Sequence, residues 1–511
     1  MKKILSSAAL LVVAGLIYSA QYKITDVTYH IKGITRQYAL EQNIKIDKNR
    51  IFTSEEEFMT YFNDIKQQFH NQRIFAQSDL DFTVREPDEA GISGVSLTVS
   101  TIDSHHLLVV PYPKYNSNSG LDLKLKVKDT NFFGSMDTMN GEFSFQLKQD
   151  STDDSASNSD IEYVFGISTD FDIPFKSGPF NSKWENAWTA SYTIGDSSLE
   201  WDMSTGFVFS LPFDGFSLDL ELKQSAVRNY DSDYTKYGDD TYYTEYAGFS
   251  IPITLQYIDN WGKILYTPAV TAKYNWDKDG IDSSDDNLSS PLYTVGHTLS
   301  TSRINWIGNF RQGLSLTFNQ SIGYNSQKDD IVPHVSAEAN IFLAFKYLGM
   351  CMDAYAFAYQ NSSEKIGSRL RGIRDDQKYS SDTSYADDYA LKVGNAIVVN
   401  MDMPFHIFTF DFDETKHLQF LHVFNCELQI APFFDFALAK NKVTGTNFYY
   451  KDGFYCGGLE FLVFPQKWRS LVIRASAGVD LGRYVLKRWI NTDWRKDVSL
   501  YEIEIGVGLH Y

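Results

Sequence analysis

Beyond its first twenty residues the chain has no run of about eighteen or more apolar residues, so the sequence predicts no membrane-spanning helix. Basic residues are scarce: 46 Lys and Arg stand against 65 Asp and Glu, a formal charge of −19. Nucleic acid needs a basic surface, so this balance excludes it as a partner. Three cysteines are too few for a disulfide framework. One Cys426–Cys456 bridge stays open, although simple packing of these thiols is favoured.

The first twenty residues have the pattern of an export signal. Lys2 and Lys3 precede a run from Ile4 to Ile17 that is apolar apart from two serines, and Ala20 precedes the expected cleavage point. We therefore predict that residues 1–20 are removed and that the mature chain leaves the cytoplasm.

Aromatic residues are abundant, at 15% of the chain, and many short stretches alternate between apolar and polar residues. The final stretch, "YEIEIGVGLHY", has one wholly apolar face: Tyr501, Ile503, Ile505, Val507, Leu509 and Tyr511. The other face carries Glu502, Glu504, Gly506, Gly508 and His510. Alternation of this kind is typical of a transmembrane β-barrel with lipid outside and water inside. From composition alone, a soluble secreted β-protein stays open.

The period of the apolar pattern divides the chain into two regions. Residues 22–103 predict a small α+β domain, in which Ser54 is the expected N-cap of a helix with an apolar stripe. Residues 105–511 keep a period of two. About 400 residues at roughly 25 per strand predict an antiparallel barrel of about sixteen strands.

A short turn motif opens the second region. In "KDTNFFGS" an acid, an amide, two aromatics and a glycine follow a predicted strand, and the key positions are Asp129, Asn131, Phe133 and Gly134.

A charged loop motif interrupts the alternation further along. "SRLRGIRDD" contains Arg371 and Gly372, and two later strands each carry an acid, Asp402 in "VVNMDMPF" and Asp435 in "APFFDFALA".

Together these motifs resemble the POTRA-barrel superfamily, which includes the BamA- and TamA-type assembly factors and the two-partner secretion transporters. The order strand, helix, helix, strand, strand in residues 22–103 resembles one POTRA domain, and an aromatic C-terminus resembles the assembly signal of outer-membrane barrels. Two positions depart from the family pattern: Ile373 replaces an aromatic residue and Ala437 replaces a glycine.

The resemblance implies that the loop folds into the barrel lumen and that Arg371 meets Asp402 and Asp435 there. A guanidinium presents a planar fork that serves carboxylates in two directions, so one arginine can tie a long loop to the wall. Gly372 permits the tight turn that follows. We name these four residues the loop clamp.

The resemblance also implies a mechanical activity without ATP: insertion of other β-barrels, or passage of unfolded chains, across the bacterial outer membrane, with the N-terminal domain in the periplasm. The expected partners are unfolded outer-membrane or secreted polypeptides, membrane lipid, and periplasmic chaperones or lipoproteins. A seam between the first and last strands would open for clients, and Gly506 and Gly508 would weaken it, because glycine contributes no cross-strand contact. The alternative that they only relieve crowding stays open.

A passive porin-like channel and a barrel hydrolase are two other function classes that share a barrel fold. A passive porin-like channel would keep the fold, and its inward acids Asp219, Glu502 and Glu504 would favour cations. A barrel hydrolase would need a Ser–His–acid set, but His105 and His106 lie between the two regions without an evident partner. The sequence therefore predicts no enzyme, no metal site and no cofactor.

Overall fold

The computed structural model describes most of the chain, with gaps. The described residues are 21–89, 91–116, 120–149, 161–194, 198–228, 241–258, 261–276, 292–326, 329–373, 377–380, 384–385, 388–412, 419–495 and 501–509. The predicted signal segment 1–20, the polar loops at 150–160, 229–240 and 277–291, and Tyr511 lie outside them.

The N-terminal domain combines one sheet with two helices. Its elements are β1 (Gln21–Lys32), α1 (Gln37–Asn43), β2 (Ile51–Phe52), α2 (Glu55–Asn71), β3 (Phe75–Pro87) and β4 (Ile92–Asp103). The strand order is β2-β1-β4-β3, with β1 parallel to β4 and the other pairs antiparallel.

Helix α2 begins where the sequence predicts. The Ser54 hydroxyl accepts the Glu57 N–H at 3.1 Å, and Glu55 to Glu57 place negative charge at the positive end of the helix dipole. One stripe of the helix is buried against the sheet: Phe58, Phe62, Ile65 and Phe69. The domain thus has an ordinary apolar core.

The remaining chain is dominated by long antiparallel strands, which confirms the β-dominated class. They are β5 (Leu107–Asn116), β6 (Gly120–Asp129), β7 (Met139–Gln149), β8 (Ile161–Ser177), β9 (Phe180–Ile194), β10 (Ser198–Pro212), β11 (Ser217–Arg228), β12 (Thr241–Ser250), β13 (Ile253–Ile258), β14 (Gly262–Trp276), β15 (Leu292–Ile307), β16 (Phe310–Asn325), β17 (Asp330–Ala344), β18 (Gly349–Tyr359), β19 (Glu364–Lys365), β20 (Lys392–Val393), β21 (Asn395–Asp402), β22 (Phe405–Phe410), β23 (Cys426–Ala439), β24 (Phe454–Pro465), β25 (Ile473–Asp480) and β26 (Tyr501–Val507). A short helix, α3 (Leu481–Tyr484), follows β25.

Apart from β19 and β20, which form a separate two-stranded sheet, these strands follow one another around a closed barrel in which β26 neighbours β5. Strands β12 and β13 both pair with β14, and β21 and β22 both pair with β23, so each couple is one interrupted wall strand. The described wall therefore has eighteen strands, two more than the sequence estimate. The estimate was low because several turns are very short: only Gly308 and Asn309 join β15 to β16.

The two faces of the wall differ as the alternation predicts. On β26 the side chains of Tyr501, Ile503 and Ile505 are exposed on the outer face, whereas Glu502 and Glu504 are partly covered on the inner face. Exposed large apolar side chains recur on β6, β8, β15 and β24. Among the described residues, no helix has the length and apolar character needed to cross a membrane.

Candidate functional site

Between β18 and β21 the described residues 360–373, 377–380, 384–385 and 388–394 turn back into the barrel, and we call them the inward loop. It contains the small sheet β19–β20 and a 3₁₀ turn at Gly367–Arg369. Its apolar side chains Ile366, Leu370, Ile373, Leu391 and Val393 are buried in one cluster with wall residues of β21, β23 and β24. Burial of this apolar surface anchors the loop before any charge is considered.

Arg371 lies at the tip of this loop, 3% exposed, against the carboxylates of β21 and β23. Its Nη1 donates to Asp402 Oδ1 at 2.6 Å, and its Nη2 donates to Asp435 Oδ1 at 2.6 Å. Its Nε and its backbone N–H both donate to Asp435 Oδ2 at 3.0 Å. The structure therefore brings the four residues of the loop clamp together.

Strand register explains how Asp402 and Asp435 converge. Strands β21 and β23 pair antiparallel with Asp402 opposite Phe433 and Asn400 opposite Asp435. Since side chains two apart share a face, both acids point inward at neighbouring levels. Asn400 adds a further tie by donating its amide to the Arg369 carbonyl at 2.6 Å.

Gly372 is required by the close approach of the tip to the wall. Its φ is +107°, and a Cβ there would lie 2.6 Å from the Val479 nitrogen on β25. Its backbone N–H donates to Glu502 Oε2 on β26 at 3.1 Å. A side chain at this position would therefore lift the tip off β25.

Sequence reasoning missed two further partners of Arg371. The ring of Phe433 lies 3.9 Å from the guanidinium carbon, a cation–π contact, and Glu460 Oε2 lies 3.7 Å from Nη1. Glu460 is an inward residue of β24 between the exposed Leu459 and Phe461. The period of two in "GGLEFLVFP" was the signal that could have identified it.

Arg369 forms a second charged contact of the loop that the sequence analysis did not single out. Its Nη1 lies 3.1 Å from Glu338 and 3.5 Å from Asp353, and its guanidinium covers the ring of Tyr355 at 3.8 Å. The loop is thus held on the β17–β18 side as well as on the β23–β26 side.

The two departures from the family pattern both serve packing here. Ile373 is 2% exposed and Ala437 is fully buried, and both belong to the apolar cluster under the loop. Phe433 supplies the aromatic contact for the clamp that Ile373 cannot provide.

The turn motif at Asp129 to Gly134 joins the two regions of the chain. The Asn131 amide is buried and donates to Thr35 Oγ1 at 2.8 Å, while its backbone N–H donates to Asp129 Oδ1 at 2.9 Å. The Gly134 carbonyl accepts the Arg36 N–H at 2.9 Å, and a Cβ on Gly134 would lie 2.0 Å from the Ile34 carbonyl. Phe133 is mostly exposed.

Helix α2 and Arg73, two residues after its end, contact the short-turn end of the barrel at β15 and the turn that follows it. Asp64 pairs with Arg303 on β15, and Asn71 Nδ2 donates to Asn305 Oδ1 at 3.0 Å. Arg73 donates to Asn309 Oδ1 at 2.9 Å and stacks on Trp306 at 4.2 Å. Burial lowers the pKa of Arg73 to about 10, which leaves it charged at neutral pH. The domain therefore contacts this end of the barrel at several separate turns.

The predicted seam residues are only partly within the described chain. A Cβ on Gly506 would lie 2.9 Å from Arg474 Nε, so this glycine makes room for an inward arginine rather than only weakening the seam. Gly508 has a φ of +103°, and its N–H donates to the Val472 carbonyl at 2.7 Å. Tyr511 lies outside the described residues.

Other titratable groups contribute little to chemistry. The interpretation that His106 has no partner was wrong, because its Nδ1 lies 2.7 Å from Asp129 Oδ1. The three cysteines are free, and no cluster of metal-ligating side chains occurs in the described parts of the chain.

No protein-family model and no curated protein matches the chain. Similar solved structures include CdiB from Acinetobacter baumannii, at 11% identity and a TM-score of 0.44 over 90% of this chain and 70% of that one. CdiB from Escherichia coli matches at 10% identity and a TM-score of 0.47, over 94% and 76% of the two chains. BamA from Haemophilus ducreyi lacking POTRA domains 1–3 matches at 10% identity and a TM-score of 0.36, over 94% and 84%.

BamA belongs to the superfamily that the sequence motifs resemble.

Proposed function

We propose that this chain is a client-handling barrel of the bacterial outer membrane, which inserts other β-barrels or passes unfolded polypeptides across the membrane without ATP. The single observation that carries the proposal is the buried loop clamp. Arg371 and Asp435 are almost completely covered, and their contact ties the inward loop to strand β23.

The filled lumen favours client handling over a passive channel. A wall of sixteen to eighteen strands ordinarily encloses an aqueous channel. Here the inward loop and its apolar cluster occupy part of that space, and its Arg371 pairs with Asp402 and Asp435 of the wall. A passive pore gains nothing from a loop tied inside its lumen, whereas a gated pore uses such a loop.

The outer surface and the turn lengths support a membrane setting with defined orientation. Apolar side chains are exposed along the outer face of the barrel, where lipid would cover them. Outer-membrane barrels have short turns on the periplasmic side. The N-terminal domain contacts the short-turn end, so we place it in the periplasm as a POTRA-like docking module.

The seam supplies the proposed mechanism of client contact. Strand β26 neighbours β5 in the barrel order, and separation of the two would expose unpaired backbone groups. A client strand can satisfy those groups by strand addition, which lipid cannot do.

The test is reconstitution of the purified protein in liposomes, with the folding of an unrelated outer-membrane barrel timed with and without it. We expect faster folding with the wild-type protein. We expect Arg371→Ala to lose most of this acceleration, because it leaves Asp402, Asp435 and Glu460 facing each other without their shared cation, an imbalance that costs roughly 3–5 kcal/mol at a sealed site.

Lys365→Ala is the matched control, since Lys365 lies on the same loop but is exposed and contacts only the face of Tyr389 among its described partners. Equal acceleration by the wild type and Arg371→Ala, at equal membrane levels, would contradict the role of the clamp. Ion conductance without any acceleration of client folding would favour the porin-like alternative.

A further inference from the structure

The tip of the inward loop rests on the two strands that end the barrel. Gly478 on β25 lies directly opposite Glu502 on β26. A Cβ on Gly478 would lie 2.6 Å from the Arg371 carbonyl oxygen, so the loop backbone touches the β25 backbone. The adjoining Gly372 N–H then donates to the Glu502 carboxylate.

The residues beneath the loop tip form one row across four neighbouring strands, β23 to β26. Phe433 on β23 lies opposite Gly458 on β24, Gly458 opposite Gly478, and Gly478 opposite Glu502. Phe433 carries the guanidinium of Arg371 at one end of the row, and Glu502 binds the next backbone N–H at the other end. Gly478 leaves the space that the loop tip fills, and Gly458 makes room for the ring of Phe433, which lies 2.8 Å from where a Cβ on Gly458 would stand.

We propose that Glu502 is a positioning residue that couples the loop clamp to the seam strand. Strand β26 carries the contact and also borders β5, so a lateral movement of β26 withdraws the carboxylate from Gly372. Arg371 and Gly372 are consecutive, so loss of one contact weakens the other. Seam opening and loop release then occur together rather than independently.

A second buried contact on the same side strengthens the link. Arg495, in the segment that leads into β26, lies 3.3 Å from Asp480 at the end of β25, and both side chains are almost fully buried. The neighbouring Trp494 carbonyl accepts the N–H of Ser380 in the inward loop at 2.9 Å. The segment before the seam strand is therefore attached to the inward loop at a second level.

The coupling gives the inward acids of β26 different roles. Glu504 lies two residues beyond Glu502 on the same face, but it pairs with Arg474 at 2.7 Å instead of with the loop. The chain thus contains its own control for the effect of an inward carboxylate on this strand.

The test is amide hydrogen exchange of the full-length protein in lipid nanodiscs, with no client present. We expect Glu502→Ala to accelerate exchange about ten-fold or more in peptides that cover 366–373 as well as 501–507, because a hydrogen bond to a charged group is lost. Glu504→Ala should accelerate exchange in 501–507 and leave 366–373 protected.

Gly478→Ala disturbs the contact between the loop tip and Glu502 from strand β25 instead of β26. Its added methyl group displaces the loop tip without removing the Glu502 side chain, and exchange in 501–507 should rise with that in 366–373. Ala477→Val, on the outer face of the same strand, is the control for added bulk.

Coupling is reciprocal, so Arg371→Ala must also accelerate exchange in 501–507. Protection of 366–373 in Glu502→Ala, or of 501–507 in Arg371→Ala, would overturn the proposal. Circular dichroism and heat-dependent gel mobility verify that each variant forms a barrel. The coupling between Glu502 and the loop clamp rests on the proposed function only for its purpose. Because no client is present in the exchange measurement, a failure of the coupling can be distinguished from a failure of the proposed function.

Discussion

The two regions of this chain differ in the charged side chains that they bury and in the apolar side chains that they expose. The N-terminal domain has an apolar core that includes Phe58, Phe62 and Phe69, whereas the barrel covers Arg371, Asp435 and Asp480 beside its apolar cluster and exposes isoleucine and phenylalanine on its outer face. The same alternation of apolar and polar residues therefore has a meaning that depends on what surrounds the fold. In water the apolar face turns inward, and in lipid it turns outward.

The charged side chains inside the barrel constrain the positions of their neighbours more than an apolar core does. An aromatic side chain in the domain gains from contact with any apolar neighbour, but a buried charge needs a partner in a particular direction. The clamp meets this need with two carboxylates, a ring and the backbone of one loop. This directional requirement is why the loop has a defined place in the lumen.

The largest effect should come from a cavity in the apolar core of the domain. Phe58→Ala is expected to cost about 3–5 kcal/mol, because Phe58 is 1% exposed and packs on Tyr22, Phe52, Phe62 and Phe82. Limited proteolysis of the full chain in urea should show earlier cleavage within residues 21–103.

Ile51→Ala, at an exposed position of the same domain, should change the midpoint of that cleavage little. Heat-dependent gel mobility should show the barrel of Phe58→Ala unchanged. If the barrel of Phe58→Ala unfolds together with the domain, the two regions form one cooperative unit, and the expected difference between them is contradicted.

The next largest difference should come from a lysine placed at an exposed apolar position in each region, because the loss of stability depends on whether lipid or water surrounds that position. Ile503→Lys on the outer face of β26, where the side chain is 64% exposed, should cost about 2–4 kcal/mol near the membrane midplane. Val84→Lys on β3, where the side chain is 47% exposed, should stay within about 0.5 kcal/mol. Equilibrium unfolding from lipid vesicles measures the first, and urea-dependent proteolysis the second.

Comparable small effects of the two substitutions would show that water, and not lipid, surrounds the barrel. That result would remove the membrane setting while leaving the fold intact.

The smallest effect should be a pH dependence where the two regions meet. Burial, with the nearby Arg469 and Arg73, lowers the pKa of His70 on α2 below its usual range. The neutral imidazole of His70 is therefore favoured in the folded state. The free energy by which His70 stabilises that state is fully present above a pH of about 6.5 and declines as the pH falls below this value. A spin-label distance between α2 and the β15–β16 turn should broaden between pH 7.5 and 5.5.

His70→Gln should make this distance distribution independent of pH in that range. Persistent broadening in the variant would assign the pH dependence to another group.

The sequence by itself determined much of this protein. The period of two identified strands with one apolar face, the stripe from Phe58 to Phe69 identified helix α2, and Ser54 identified its start, because these patterns are local and repeat along the chain. The resemblance of the loop and strand motifs to the POTRA-barrel superfamily implied the residues of the clamp, whereas an arginine, a glycine and two aspartates taken alone also fit an exposed loop.

Only the tertiary structure decided the remainder. The number of strands in the wall, eighteen, depends on how short each turn is. The contacts of Arg371 with Phe433 and Glu460 depend on the register of β23 and β24 and on where the inward loop meets them. The bond from Gly372 to Glu502 joins residues 130 positions apart. No local pattern encodes such a pairing, because it follows from how the strands align when the barrel closes.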